Sequence, residues 1–407
     1  MVATDLGAKT ELDENNTFQV DKELTLLKSA AVYGANASGK SNIIKAIRFM
    51  RWFVLNSSSS TQITDLINIS EFRLSEETIN KPSFFEIVFI LNNKIYRYGF
   101  QLTKKEIIAE WLYYTPNSQE YKYFSRKKQN FKVLKKFSEG HLLQSKTRAN
   151  ALFLSVVAQF NGKISEQLLI WFQKLSVLSI ISNFNHAFTL GIIEDDNYKN
   201  KILSLIKKLD LAIHDIKIKQ TVVPLEKIPQ DLLELLVERE ERQVNGLGEW
   251  FSIDIKTIHN KYDLQGNIYS TEEFDLDENE SEGTKKLFAI AGYILNALQE
   301  GRVLLIDELD ARLHPLITQS IIKLFNSKET NPNNAQLIFM THDTNLLSKK
   351  LFRSDQIWFV EKNRCEATDL YSLAEYKISK DASFEDDYVK GKYGAIPYIG
   401  NLRDLNV

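Results

Sequence analysis

Apolar positions along the chain change from one periodicity to another, and each change marks a predicted element. Residues 29–33 (Ser-Ala-Ala-Val-Tyr) form a short apolar run that predicts a buried strand. A glycine-rich turn follows, after which apolar residues recur at the spacing of one helix face, at Ile43, Ile44, Ile47 and Met50. Residues 29–50 are therefore predicted to form a strand, a turn and a helix in that order.

A period of two replaces the helical period between Phe84 and Leu102. Apolar and polar positions alternate on both sides of Asn92-Asn93, a pair that favours a tight turn, so this segment predicts a β-hairpin. Residues 107–114 predict another antiparallel strand, and the apolar run 151–157 predicts a buried strand.

The second half of the chain combines helical and strand patterns. Residues 163–242 are mostly helical in pattern, and residues 251–259 return to a strand pattern. From Gly283 onward helices and strands alternate, which predicts an α/β fold with parallel strands. We therefore predict a mixed sheet in which a parallel core is joined to an antiparallel hairpin subdomain. The predicted parts are an N-terminal lobe, a helical insertion and a C-terminal lobe, over residues 1–162, 163–245 and 246–407.

Composition narrows the class of protein. The 407 residues hold 51 Lys and Arg against 53 Asp and Glu, so the net charge indicates no polyanionic partner. The one cysteine, Cys365, excludes a secreted disulfide framework. No apolar run reaches the roughly 18 residues of a transmembrane helix, and residues 1–16 lack the apolar core of a signal peptide. We expect a soluble, cytoplasmic protein.

Residues 34–41 (Gly-Ala-Asn-Ala-Ser-Gly-Lys-Ser) match the pattern G-x-x-x-x-G-K-[ST] at every fixed position. The glycines let the backbone curl so that its N–H groups converge on phosphate oxygens. Lys40 would reach the β- and γ-phosphates, and Ser41 would bind magnesium. A glycine-rich turn without a ligand is the alternative, but its place between a strand and a helix favours an ATP site. The predicted ATP-binding residues are Gly34, Ala35, Asn36, Ala37, Ser38, Gly39, Lys40, Ser41 and Asn42.

Acidic residues follow the apolar strand 303–306 directly. A buried parallel strand of this kind delivers Asp307 and Glu308 to the carboxyl edge of the sheet, where ligands bind. Asp307 would bind magnesium, and Glu308 would orient and deprotonate the attacking water. A strand with a solvated acidic end is the alternative, and the phosphate loop upstream weighs against it.

A histidine follows a further apolar strand at residues 336–340. His342 would lie at the same sheet edge and could hydrogen-bond the γ-phosphate. An incidental histidine is the alternative, but the order of the strands favours a functional one. The predicted catalytic residues are Lys40, Glu308 and His342.

These motifs, in this order, resemble those of the ABC-type P-loop ATPases, the branch that holds RecF, the SMC proteins and the OLD-type phage-defence ATPases. Residues 280–287 look like the signature motif of that family, and the resemblance implies that Ser281 and Gly283 contact the γ-phosphate bound by the opposite subunit. Glu282 replaces the usual central glycine, and helix capping by Ser281 is the alternative.

Two further segments extend the resemblance. Residues 309–315 (Leu-Asp-Ala-Arg-Leu-His-Pro) look like the D-loop region in its OLD-type form. Gln159 is the candidate for the glutamine that binds magnesium in the family.

The closer resemblance is to bacterial abortive-infection ATPases, single-chain RecF-like proteins of phage-defence loci. Its motifs are residues 33–42, 281–288, 355–359 and 392–398. It implies a dimer that closes around two ATP and two magnesium ions and that regulates or holds a toxic effector, often a nuclease, encoded nearby.

Members of this family usually begin with a strand carrying an Asn-Phe-Arg/Lys-Ser-type motif. None precedes the phosphate loop here, so we expect the chain to start inside its natural reading frame and to lack an edge strand that frames the adenine.

Residues 121–148 are rich in lysine and arginine, with aromatic residues between them. This pattern favours an amphipathic hairpin with a solvated basic face over a nucleic-acid surface. A rival function is a DNA-repair ATPase that binds DNA directly through Arg126, Lys127, Lys128, Lys135 and Lys136. The other rival is a scaffold that binds ATP without hydrolysing it. We expect a homo-oligomer formed through the ATP sites, an effector protein as partner and no membrane partner.

Overall fold

In the computed structural model, the strand predicted at residues 29–33 lies inside a six-stranded sheet. The structure describes residues 1–4, 12–79, 81–179, 186–209, 212–223, 250–379, 381–398 and 400. These residues belong to two compact units, one formed by Met1–Ser182 with Asn296–Val407 and the other by Asn183–Leu295.

The described residues form both strands and α-helices. The strands are β1 (Thr17–Gln19), β2 (Thr25–Leu27), β3 (Ser29–Tyr33), β4 (Ser83–Leu91), β5 (Lys94–Leu102), β6 (Ile107–Thr115), β7 (Tyr121–Lys127), β8 (Asn130–Val133), β9 (Ser176–Leu178), β10 (Asp215–Val223), β11 (Trp250–Tyr262), β12 (Ile268–Asp275), β13 (Val303–Ile306), β14 (Gln336–Met340), β15 (Ile357–Lys362) and β16 (Thr368–Ser372). The helices are α1 (Asp13–Asn16), α2 (Lys40–Asn56), α3 (Phe153–Gln159), α4 (Lys163–Lys174), α5 (Ala187–Ile193), α6 (Asp196–Lys208), α7 (Leu276–Asn279), α8 (Glu282–Glu300), α9 (Pro315–Asn326) and α10 (Phe384–Val389).

The six-stranded sheet of the first unit has the strand order β16-β15-β3-β14-β13-β9. All its pairings are parallel except that of β15 with β16, which is antiparallel and forms the edge. Every residue of β3 is buried, as expected for a central strand covered on both faces. Because parallel strands end at the same edge, the residues after β3, β13 and β14 meet there.

Two short strands precede β3 in the chain. β1 pairs with β2 in an antiparallel hairpin, and Val2 bridges to Leu26 beside it. Neither strand carries the Asn-Phe-Arg/Lys-Ser-type motif of the family, so the absence of the edge strand that frames the adenine stays a prediction.

The five-stranded antiparallel sheet has the strand order β4-β5-β6-β7-β8. Asn92 and Asn93, with φ angles of 50° and 57°, form the turn between β4 and β5, as the asparagine pair predicts. One face of the sheet packs on α2, α3 and α4 around buried aromatic side chains. The predicted mixed sheet, with a parallel core and an antiparallel subdomain, is thus confirmed.

Residues 151–157, predicted as a buried strand, belong largely to helix α3. The prediction is wrong because a short apolar run buried on every side carries no periodicity that distinguishes strand from helix. The Glu110 carboxylate accepts hydrogen bonds from the first backbone N–H groups of α3, at Phe153 (2.7 Å) and Leu154 (3.0 Å). A distant side chain therefore caps this helix.

The second unit contains an antiparallel sheet in the order β10-β11-β12. β11 confirms the strand predicted at residues 251–259, whereas β10 lies in a stretch predicted to be mostly helical. Ile216 and Ile218 alternate with lysines there, which is the period of a strand, and β10 pairs with β11 along its whole length. Residues 224–249 lie outside the described residues, so the insertion boundaries 163–245 stay a prediction. No helix among the described residues has the length and apolar content needed to cross a bilayer.

Candidate functional site: a phosphate loop beside two carboxylates and a histidine

The phosphate loop starts where β3 ends and closes where α2 begins. Gly39, the residue before α2, has a φ of 112°, a left-handed conformation that glycine adopts without the strain a side chain would bring. Ala37 also has a positive φ, of 61°. The loop is curled as its motif predicts, and it leads into a helix N-terminus whose free N–H groups favour an anion.

Lys40 is buried at the first position of α2, with its ammonium group inside the curl. Its Nζ donates hydrogen bonds to the carbonyl oxygens of Gly34 (2.6 Å) and Ala35 (3.0 Å). Burial lowers the pKa of Lys40, and the acidic residues after β13, Asp307 foremost, oppose that shift. A cation and several carboxylates are thus held close together, as a site for a magnesium-bound polyphosphate requires.

Asp307, the first residue after β13, is 1% exposed. Neither of its carboxylate oxygens has a hydrogen-bond partner among the described residues. Buried charges are normally paired or coordinate a metal, because an unpaired one is costly to desolvate. Asp307 therefore fits the predicted magnesium ligand, with the half-buried Ser41 of α2 as the other candidate on the phosphate loop.

Glu308 turns the chain away from β13. Its φ of 51° is left-handed, which is an uncommon conformation for a residue with a side chain. The next residue, Leu309, donates its backbone N–H to the Met340 carbonyl at 3.1 Å, so the turn after β13 is tied to the end of β14. Strained backbone of this kind clusters at functional sites, and the role of Glu308 as the base stays a prediction.

His342 lies two residues beyond β14, the strand between β3 and β13. Its backbone N–H donates to Asp310 Oδ2 at 3.3 Å. Burial and the Lys40 ammonium lower the pKa of His342, while the Asp310 carboxylate opposes the shift. The lowered pKa favours the neutral imidazole, which can donate one hydrogen bond and accept another.

The structure places the remaining predicted residues as follows. Gln159 is the exposed last residue of α3, so it ends a helix instead of following the predicted strand, and its role as a magnesium ligand stays a prediction. Ser281 Oγ accepts the Thr284 N–H at 3.1 Å and so caps α8, as its capping alternative predicted. Ser281 itself is exposed and Gly283 half-buried, and both lie in the second unit.

The basic stretch 121–148 does not expose all of its basic and aromatic residues. Arg126 is fully buried, forms an ion pair with Glu110 at 3.5 Å and donates to the Ala151 carbonyl at 2.6 Å. Tyr123 and Phe124 are buried in the core of the antiparallel subdomain. The inclusion of Arg126 in a DNA-binding surface is therefore wrong. The burial of these side chains agrees with the alternative prediction of an amphipathic hairpin.

For two polar residues of the site, the sequence predicts no functional role. Asp310 holds the backbone of His342, and its other oxygen is buried without a partner among the described residues. Thr368, on the edge strand β16, donates its hydroxyl to the Ser38 carbonyl of the phosphate loop at 2.9 Å. Asp310 stands in the segment that resembles a D-loop, whereas no sequence signal links Thr368 to a loop 330 residues away.

The phosphate loop follows β3, the carboxylate pair follows β13, and His342 follows β14, which lies between those two strands. This arrangement is typical of P-loop ATPases. The chain belongs to the family described as "AAA domain, putative AbiEii toxin, Type IV TA system", whose family model matches residues 29–348. The matched span includes the phosphate loop, the carboxylate strand and His342. The predicted resemblance to abortive-infection ATPases is confirmed by this match.

No curated protein matches the chain. Among solved structures it is similar to the SMC head domain from Thermotoga maritima, with 14% identity, a TM-score of 0.35, and coverage of 87% of this chain and 93% of that one. It is also similar to the Smc head domain with an extended coiled coil, bound to the C-terminal domain of ScpA, from Pyrococcus furiosus. That similarity has 13% identity, a TM-score of 0.32, and coverage of 90% of this chain and 94% of that one. These overall similarities are low, and the family match carries the assignment.

Proposed function

We propose that this protein binds and hydrolyses ATP with magnesium, and that two copies close around the nucleotides. The observation that carries the proposal is the placement of Lys40, Asp307, Glu308 and His342 at one edge of the parallel sheet, beside a curled glycine loop. Phosphoryl transfer depends on positioning and charge neutralisation more than on covalent chemistry, and these residue types supply both.

Each residue has a distinct role in this proposal. The loop N–H groups and Lys40 hold the β- and γ-phosphates, and Ser41 and Asp307 hold magnesium, which neutralises charge on those phosphates. Glu308 orients the attacking water and takes its proton, and the neutral His342 donates a hydrogen bond to the γ-phosphate. Asp310 fixes the backbone of His342.

Dimerisation and defence against phage are the finer parts of the proposal. Ser281 and Gly283 begin α8, and we place them on the γ-phosphate bound by a second copy of the chain. The family description names a toxin–antitoxin context, which supports a role in regulating or holding an effector encoded nearby. Cells expressing that neighbouring gene should grow with the wild-type chain and arrest with the Lys40→Ala chain. Equal growth would contradict the regulatory role.

Replacing Glu308 with glutamine tests the hydrolytic step. The substitution keeps the shape of the side chain and removes the proton acceptor, so phosphate release should fall by at least about a hundredfold while ATP affinity is retained. An ATP-bound dimer should then accumulate, visible by light scattering after size-exclusion chromatography. Glu329→Gln, at an exposed position in the loop after α9, is the matched control and should hydrolyse ATP normally.

The possible results separate three functions. Normal turnover by Glu308→Gln would show that Glu308 is not the base. ATP binding without phosphate release by the wild-type protein would favour the scaffold function over an enzyme. Turnover without any ATP-dependent dimer in the Glu308→Gln protein would leave a monomeric P-loop ATPase.

A further inference from the structure

Gly34 and Gly39, the two glycines that the phosphate-loop pattern requires, lie against the β15–β16 hairpin. A Cβ atom added to Gly34 would overlap the backbone carbonyl of Val360 on β15. A Cβ atom added to Gly39 would overlap the side chain of Thr368 on β16. The glycines therefore serve the packing of the loop on this hairpin as well as its curl.

Thr368 also makes a directed bond to the loop. Its hydroxyl donates to the Ser38 carbonyl at 2.9 Å. The C=O and N–H groups of a planar trans peptide point in opposite directions. Holding the Ser38 carbonyl toward β16 therefore turns the Gly39 N–H away from β16. Thr368 thereby sets the orientation of one N–H group of the loop that would bind phosphate.

The strand order indicates whether nucleotide binding or hydrolysis depends on the hydrogen bond between Thr368 and Ser38. β15 and β16 lie on one side of β3, while β14 and β13, which carry His342, Asp307 and Glu308, lie on the other. The residues proposed to act in hydrolysis therefore lie on the second side. Thr368 contacts the loop from the opposite flank, so we expect its effect to fall on the phosphates that ATP and ADP share.

We propose that Thr368 is a positioning residue for nucleotide binding, whose hydroxyl holds the phosphate loop in its phosphate-binding conformation. This inference rests on the proposed nucleotide-binding function and names the residue on which the affinity of that site depends. It requires the affinities for ATP and ADP to change together and the hydrolytic rate constant to stay the same, since contacts made equally in the ground and transition states alter KM alone.

Thr368→Val tests the proposal because valine keeps the branched shape and loses the donor. Calorimetry should show ATP and ADP binding weakened by the same factor, about three- to tenfold, the range expected for one neutral hydrogen bond. In steady-state assays KM should rise and kcat should be unchanged. Thr368→Ser retains a hydroxyl and should restore affinity. Thr330→Val is the matched control, because the exposed Thr330 makes a similar bond to the Leu324 carbonyl (2.7 Å) away from the loop.

The outcomes are distinct from those of the proposed function. If the wild-type protein binds neither ATP nor ADP, the proposed function fails. If the wild-type protein binds both and Thr368→Val binds them equally well, this inference alone is wrong. A loss shared by the Val and Ser variants, or a fall in kcat with KM unchanged, would also overturn it. Thr368→Ala, which removes the hydroxyl without adding a methyl group beside the carbonyl, repeats the test should the Val variant not fold.

Discussion

Replacing Asp307 with asparagine should have two separate effects. It should increase the stability of the nucleotide-free protein, which the buried carboxylate lowers, and it should remove the contribution of that carboxylate to magnesium binding. The side chain is 1% exposed, and both oxygens lack a hydrogen-bond partner among the described residues. The nearby Lys40 ammonium donates to the Gly34 and Ala35 carbonyls, so its attraction to Asp307 is electrostatic and at a distance. Asparagine keeps the shape and removes the charge.

The expected magnitudes follow from this burial. An unpaired buried polar group costs about 1–3 kcal/mol, and more when charged. The attraction of Lys40 offsets part of that cost, so Asp307→Asn should raise the free energy of unfolding of the nucleotide-free protein by about 1–2 kcal/mol. In the wild type, Mg-ATP at 100 times its Kd should add about 2.7 kcal/mol. The variant should gain no more with magnesium than with ATP and EDTA.

Denaturant unfolding, with and without ATP, magnesium and EDTA, measures both effects. Asp355→Asn is the matched control, because Asp355 is 2% exposed but accepts hydrogen bonds from Arg353 Nε (3.0 Å) and Nη2 (2.8 Å). Breaking that buried pair should cost about 3–5 kcal/mol and leave the magnesium effect intact. If Asp307→Asn is destabilised in the same way, or keeps the full magnesium effect, the assignment of Asp307 as a metal ligand is refuted.

Two further predictions concern binding and the dimer. Lys40→Ala should abolish ATP binding, because it removes the cation that neutralises the β- and γ-phosphates, and calorimetry showing unchanged affinity would refute the assignment of the phosphate loop. Ser281→Arg should bind ATP but not close the dimer, since a bulky cation replaces a small donor at the proposed interface. Mixing the Ser281→Arg and Lys40→Ala proteins should restore part of the activity, because a heterodimer keeps one composite site with both residues intact. If native mass spectrometry shows subunit exchange and no activity returns, action in trans is wrong.

The sequence alone predicted the features of this protein that depend on the local pattern of residues. The phosphate loop could be located because a curled loop needs glycine where φ is positive, and Gly39 has such a φ. The strands before Asp307 and His342 could be located because fully buried parallel strands appear as apolar runs, and strand order then placed both residues at one edge. The β4–β5 hairpin followed from its period of two and its asparagine turn.

The tertiary structure decided what depends on partners distant in the chain. Residues 153–159 are helical because Glu110 caps them, although their apolar run reads equally well as a strand. Arg126 is inside the fold because Glu110 and backbone carbonyls satisfy it, although its sequence context looks like a basic surface. Thr368 reaches the phosphate loop because the strand order of the sheet places β16 beside β15 and β15 beside β3. Local periodicity is determined by neighbouring residues in the chain, whereas capping, ion pairing and loop support depend on which elements the fold brings together.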